Sequence, residues 1–214
     1  PFMRLKYNIL LSFFLLNISM TINAEELNYI KNKGQWDSII NYKVNIQGGN
    51  LFLEDNILTY VFHDAHALHE LHELEHELGE DFHSEDYSID AYAFKVELLN
   101  TNNTPTITGN NPRDEYYNYF IGNNPEKWAG NVPLYKGVSY QSIYNGIDLD
   151  LYSQNLNLKY DFIVSPGADP NQIQLKYQHV KNVHLVNGEL HIDIGFNTII
   201  EQKPIAFQNI NGTQ

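Results

Sequence analysis

An all-β fold, an antiparallel two-sheet β-sandwich, is what this chain predicts, and three observations predict it. Short runs rich in Val, Ile, Leu, Tyr and Phe recur with turn residues between them, at the spacing of about 8–12 residues typical of sandwiches and barrels. Two of these runs, Ile147-Asp148-Leu149-Asp150-Leu151 and Leu190-His191-Ile192-Asp193-Ile194, alternate apolar and polar residues, as a strand buried on one face requires. Asn187-Gly188 lies between two such runs and is the strongest hairpin signal in the chain. The one departure is a His/Glu-rich insertion over residues 63–86, expected to be partly helical or disordered.

The N-terminus reads as a leader. Met3 is the expected start, Arg4 and Lys6 supply a basic region, Ile9 to Ile18 is apolar, and Ala24 precedes Glu25-Glu26. These are the parts of a secretory signal peptide over residues 1–24. Its apolar run falls short of the about 20 residues that span a bilayer. Residues 25–214 are then one domain, secreted or held at the outer cell surface, with no membrane span after cleavage.

Strands are expected at Tyr42 to Ile46, Leu51 to Leu53 and Ile57 to Phe62, separated by Gly48-Gly49-Asn50 and Glu54-Asp55-Asn56. Ala91 to Leu99 is the longest candidate. Breaks at Asn100 to Pro105 and Gly109 to Pro112 precede Tyr116 to Ile121, Leu134 to Tyr140, Ile147 to Tyr152 and Leu156 to Val164. Ile173 to Tyr177, Val183 to Val186, Leu190 to Ile194, Thr198 to Glu201 and Ala206 to Ile210 complete the series. Outside the insertion only Pro125 to Ala129 suggests a helix, and a short one. Pro166-Gly167-Ala168-Asp169-Pro170 sets a tight turn, since proline fixes φ and glycine is free to take positive φ. The chain stops two residues after Asn211-Gly212, a turn with no returning strand, so a longer multidomain protein is expected.

Composition narrows the function classes. The chain has no cysteine, which removes disulfides, thiol catalysis and Cys-ligated zinc. Thirteen Lys and Arg stand against 26 Asp and Glu, for a formal net charge of −13. No basic cluster is present, so a nucleic-acid partner is not expected.

The insertion holds six of the nine histidines, nine acids and no Lys or Arg. Within it, His72-Glu73-Leu74-Glu75-His76 matches H-E-x-x-H, the spacing that places two imidazoles on one helix face for zinc and a glutamate as general base. The extended form of that motif wants a third histidine at 82, which is Phe82, with His83 one residue late. The only methionines for a Met-turn are Met3 and Met20, inside the leader. The segment is also a near-repeat of His-Glu-Leu, which produces the motif by composition. A zinc metallopeptidase is therefore disfavoured and no catalytic residue is expected. His69, His72 and His76 remain a weak binding set for Zn, Ni or Cu, because imidazoles at i, i+3 and i+4 chelate without a dedicated fold. No resident cofactor is expected beyond adventitious zinc. Asp148, Asp150 and Asp161 have the residue type of a glycosidase pair, but the alternation makes the first two ordinary outward-facing strand residues. Trp36 and Trp128, with fifteen tyrosines, offer either packing or a sugar-stacking surface.

Four blocks together resemble a known family. They are Ile30-Lys31-Asn32-Lys33-Gly34-Gln35-Trp36, Tyr117-Asn118-Tyr119-Phe120-Ile121-Gly122-Asn123, Tyr144-Asn145-Gly146-Ile147-Asp148-Leu149, and the run from Tyr160-Asp161-Phe162-Ile163-Val164 to Pro166-Gly167-Ala168-Asp169-Pro170. With Glu201-Gln202-Lys203-Pro204, they are similar to the N-terminal domain of large secreted Bacteroidota-type surface proteins. That family carries SBBP-type β-propeller repeats and gliding-motility-type C-terminal sorting domains. The resemblance implies location and architecture rather than chemistry. It implies a non-catalytic structural or adhesion module whose partners are the downstream domains of the same chain and surface glycans or proteins.

Overall fold

The computed structural model describes residues 4–7, 26–79, 83, 87–103, 105–120, 122–195 and 197–208. The expected cleavage point after Ala24, most of the insertion beyond Gly79 and the terminal turn at Asn211-Gly212 lie outside them.

The described residues are mostly antiparallel β. Their strands are β1 (Arg4–Tyr7), β2 (Tyr29–Lys31), β3 (Tyr42–Ile46), β4 (Gly49–Leu53), β5 (Ile57–His63) and β6 (Ile89–Leu98). They continue as β7 (Thr106–Tyr119), β8 (Ala129–Tyr144), β9 (Ile147–Gln154), β10 (Asn157–Val164), β11 (Leu175–Gln178), β12 (Asn182–Val186), β13 (Glu189–Asp193) and β14 (Thr198–Glu201). Among the described residues one α-helix, α1 (Ala65–Leu78), joins β5 to β6, and short 3-10 turns lie at Pro125–Lys127, within the short helix expected over Pro125 to Ala129, and at Pro170–Gln172. Eleven strands form a single sheet in the order β1-β6-β5-β4-β3-β2-β8-β9-β10, with β11 also on β6 and β7 also on β8. The last three strands make a separate small sheet, β12-β13-β14. The expected all-β class is met. The arrangement is a curled sheet plus a small one, in which the long β8 pairs with β2, β7 and β9.

Alternation drives this arrangement. In β9 the pattern of burial is buried at Ile147, Leu149 and Leu151 and partly open at Asp148 and Asp150, the period of two that strands impose. The buried cluster joins Val44, Leu51 and Phe94 from one part of the sheet to Val138, Tyr140 and Leu149 from another, and includes Ile192 of the small sheet. The sheet therefore curls over a shared core. Tyr60, Phe62 and Phe94 stack nearly parallel, with the Tyr60 and Phe94 centroids 4.8 Å apart.

The turn between β12 and β13 holds Asn187 at φ 54° and Gly188 at φ 90°, the left-handed pair that a two-residue hairpin needs. Gly49 is fixed by contact instead. A Cβ there would lie 1.9 Å from the Val61 carbonyl oxygen.

Several boundaries differ from the sequence reading. Tyr29–Lys31 is a strand in the middle of the sheet, flanked by β3 and β8. β7 runs straight through Gly109 to Pro112, where a break was expected; a register shift between Pro112 and Tyr116, with Asn111 at φ 50°, absorbs the proline as a bulge does. Ala206, Phe207 and Gln208 are not in a strand. Arg4–Tyr7, placed in the leader by sequence, pairs with Ile89–Tyr92 of β6, so cleavage after Ala24 would remove β1.

Candidate functional site

α1 is the one helix of the His/Glu segment, and its ends have local causes. Asp64 caps the start, its carboxylate accepting from the Ala67 N–H at 3.3 Å, which satisfies a backbone donor that a helix leaves open. Gly79 follows the end at φ 53°, where glycine pays no Cβ penalty. Leu68, Leu71 and Leu74 are half-buried, while His69, His72, Glu73 and His76 are exposed. Among the described side chains of the helix none belongs to the buried core.

Of the three histidines singled out by sequence, two come together. His72 Nε2 and His76 Nε2 lie 3.1 Å apart, with ring centroids 4.4 Å apart in an edge arrangement. The Glu75 carboxylate approaches His72 Nδ1 at 3.6 Å, beyond hydrogen-bond length but close enough for electrostatic orientation. His69 and Glu73 share the exposed surface of the helix. Among the described residues no group of three His, Cys, Asp or Glu has the geometry to hold a metal.

The aspartates are engaged in bonds between strands. Asp148 accepts from the Ser142 N–H at 2.6 Å. Asp150 accepts from the Ser139 hydroxyl, which in turn accepts from Asn110 Nδ2 at 2.5 Å. Asp161 accepts from the Tyr152 hydroxyl at 3.0 Å. Asp150 and Asp161 stand directly opposite each other on β9 and β10, on the outward face that the alternation assigns.

The aromatic residues divide into two groups. Trp36 is half-buried, packs edge-on to Tyr119 at 5.5 Å, and has the Lys43 ammonium 5.7 Å from its ring centroid, within cation–π range. Burial and the neighbouring Tyr117 push the Tyr119 hydroxyl up to about 12. Tyr116, Tyr117, Phe120 and Trp128 are exposed, Phe120 by 63%. Phe120 and Trp128 meet edge-on at 5.9 Å, whereas Tyr117 packs edge-on to Tyr119, the neighbour of Trp36. Trp128 Nε1 donates to the Gly122 carbonyl at 3.1 Å, which fixes the indole without covering it.

Sequence reading missed a third cluster. Glu201, at the end of β14, accepts from Tyr160 and Tyr177 beside a cavity of about 10 Å³ lined by Tyr60, Leu98 and Leu175. That volume admits at most one water, so this is a clasp between sheets and not a substrate pocket. Thr198 to Glu201 reads as a strand and Glu201-Gln202-Lys203-Pro204 as part of the resemblance, but neither marks the Glu201 carboxylate as a partner of two tyrosines.

A β-rich domain with an exposed charged helix and an open aromatic ledge is the class that fold and surface define. The chain belongs to the DUF7948 family, a domain of unknown function, which matches residues 29–214. No curated protein and no solved structure matches it.

Proposed function

We propose that the chain is a non-catalytic extracellular module of a larger exported surface protein, and that it contacts neutral glycans through the aromatic ledge. In this reading it is the N-terminal part of a Bacteroidota-type surface protein with SBBP-type propeller repeats and a sorting domain downstream, and the domain is a sandwich-like support for them. The single observation behind binding is the exposed Phe120–Trp128 pair. Aromatic faces stack on the apolar faces of sugar rings, while folding alone gives no reason to leave this pair of rings in water. The net charge of −13 disfavours acidic polymers and nucleic acid.

Native gels cast with neutral and with acidic polysaccharides test the ledge. Retardation by at least one neutral polymer is expected, weakened about tenfold by Trp128→Ala or Phe120→Ala with an unchanged β-sheet spectrum. No retardation, or retardation that both variants retain, sinks the glycan reading. Incubation of the zinc-loaded chain with casein tests catalysis. No cleavage is expected, and cleavage abolished by Glu73→Gln would make the protein a peptidase.

A further inference from the structure

We infer that His72 and His76 form a two-imidazole chelate for a divalent transition-metal ion, with His69 outside it. This is independent of the aromatic ledge. The two Nε2 atoms lie 3.1 Å apart. A metal about 2.0–2.1 Å from each nitrogen closes an N–metal–N angle of roughly 100°, between the square and tetrahedral values. The two Nε2 atoms already face each other on the exposed side of the helix, so an ion enters from solvent and displaces the contact between the rings.

Glu75 adds orientation. With its carboxylate 3.6 Å from His72 Nδ1, the proton of neutral His72 is favoured on Nδ1, which leaves Nε2 as the lone-pair nitrogen. His76 then carries its proton on Nε2 in the free pair. On metal binding that proton passes through water to Nδ1, and Nε2 becomes the second ligand. No proton is lost and no oxidation occurs.

Ligand chemistry selects the ion. Imidazole pairs take Cu²⁺ ahead of Ni²⁺ and Zn²⁺ by the Irving–Williams order, whereas Ca²⁺ and Mg²⁺ require oxygen donors. The chelate also clips one turn of a helix whose Glu70, Glu73, Glu75 and Glu77 repel one another. A bound dication offsets that repulsion, so metal binding orders α1.

The test is calorimetric titration of the EDTA-treated full chain with CuSO₄, NiCl₂ and ZnCl₂, with amide hydrogen exchange of α1 as a second readout. His72→Ala and His76→Ala should each weaken Cu²⁺ binding by more than about tenfold and abolish the slowing of α1 exchange. His69→Ala should leave both unchanged. The double variant His72→Ala/His76→Ala measures what the remaining imidazoles bind. If His69→Ala weakens binding as much as His72→Ala, the tract binds by composition and the chelate is wrong. Absence of any slowing of α1 exchange by Cu²⁺ in the unaltered chain overturns it equally.

Discussion

Tyr177 on β11 donates its hydroxyl to Glu201 on β14 at 3.0 Å, a bond that ties the small sheet to the edge of the large one. Tyr160 on β10 donates to the other oxygen of the same carboxylate at 2.9 Å. One side chain thus holds three strands from two sheets. Glu201→Ala should lower stability by about 1–2 kcal/mol, because two hydroxyls lose a charged acceptor. Glu201→Gln, which keeps an oxygen acceptor, should cost less. Denaturant unfolding checks both, and strict additivity with Tyr177→Phe would show that the two residues do not act together.

Alkaline stability follows from the same region. Burial raises the hydroxyls of Tyr60, Tyr140 and Tyr177 above the usual 10.0. The unfolded chain therefore releases these protons at lower pH than the folded one, and unfolding is favoured as pH rises. Their contribution is fully present below about pH 10 and declines above it. Phenolate absorbance recorded against circular dichroism should show part of the fifteen tyrosines ionising while the fold persists, and the rest only as it collapses. Ionisation of all fifteen near the ordinary value with an intact spectrum would contradict this burial.

Gly49→Ala is expected to be severe. The added methyl would meet backbone, the Val61 carbonyl oxygen at 1.9 Å, and backbone cannot move aside as a flexible side chain can. A loss of about 3 kcal/mol or more is expected. Gly130→Ala is the control, since its nearest neighbour would be a side-chain oxygen at 3.5 Å. Equal melting temperatures for the two variants would refute the close-approach argument.

The helix should be dispensable to the fold. Among its described side chains α1 places none in the buried core, and its charges cost more to bury than its leucines return. Replacement of residues 66–82 by a short Gly/Ser linker should leave the melting temperature within about 3 °C. Loss of the β-sheet spectrum on replacement would mean that α1 braces β5 and β6.

Much of the scaffold was legible in the chain because it is local. A period of two places Ile147, Leu149 and Leu151 inward whatever strands lie beside them, and Asn187-Gly188 makes its hairpin from the dihedral freedom of two residues. The His72/His76 spacing likewise guarantees one helix face. Other features were decided by partners distant in sequence. Tyr29–Lys31 is too short to announce itself and becomes a strand because β3 and β8 offer edges on both sides. Pro112 reads as a breaker, yet β7 continues past it because its register against β8 shifts between Pro112 and Tyr116, where the ladder skips residues. Side-chain selection is equally non-local in effect: residue spacing permits His69, His72 and His76 to associate, and rotamers beside Glu75 bring only the last two into contact. By itself the sequence determined the all-β class, the inward faces and the hairpin, since these depend on neighbours along the chain. The tertiary structure alone decided how the sheet closes, which carboxylate clasps the small sheet, and which rings remain in water, since register and edge pairing are settled by packing between segments that local pattern does not connect.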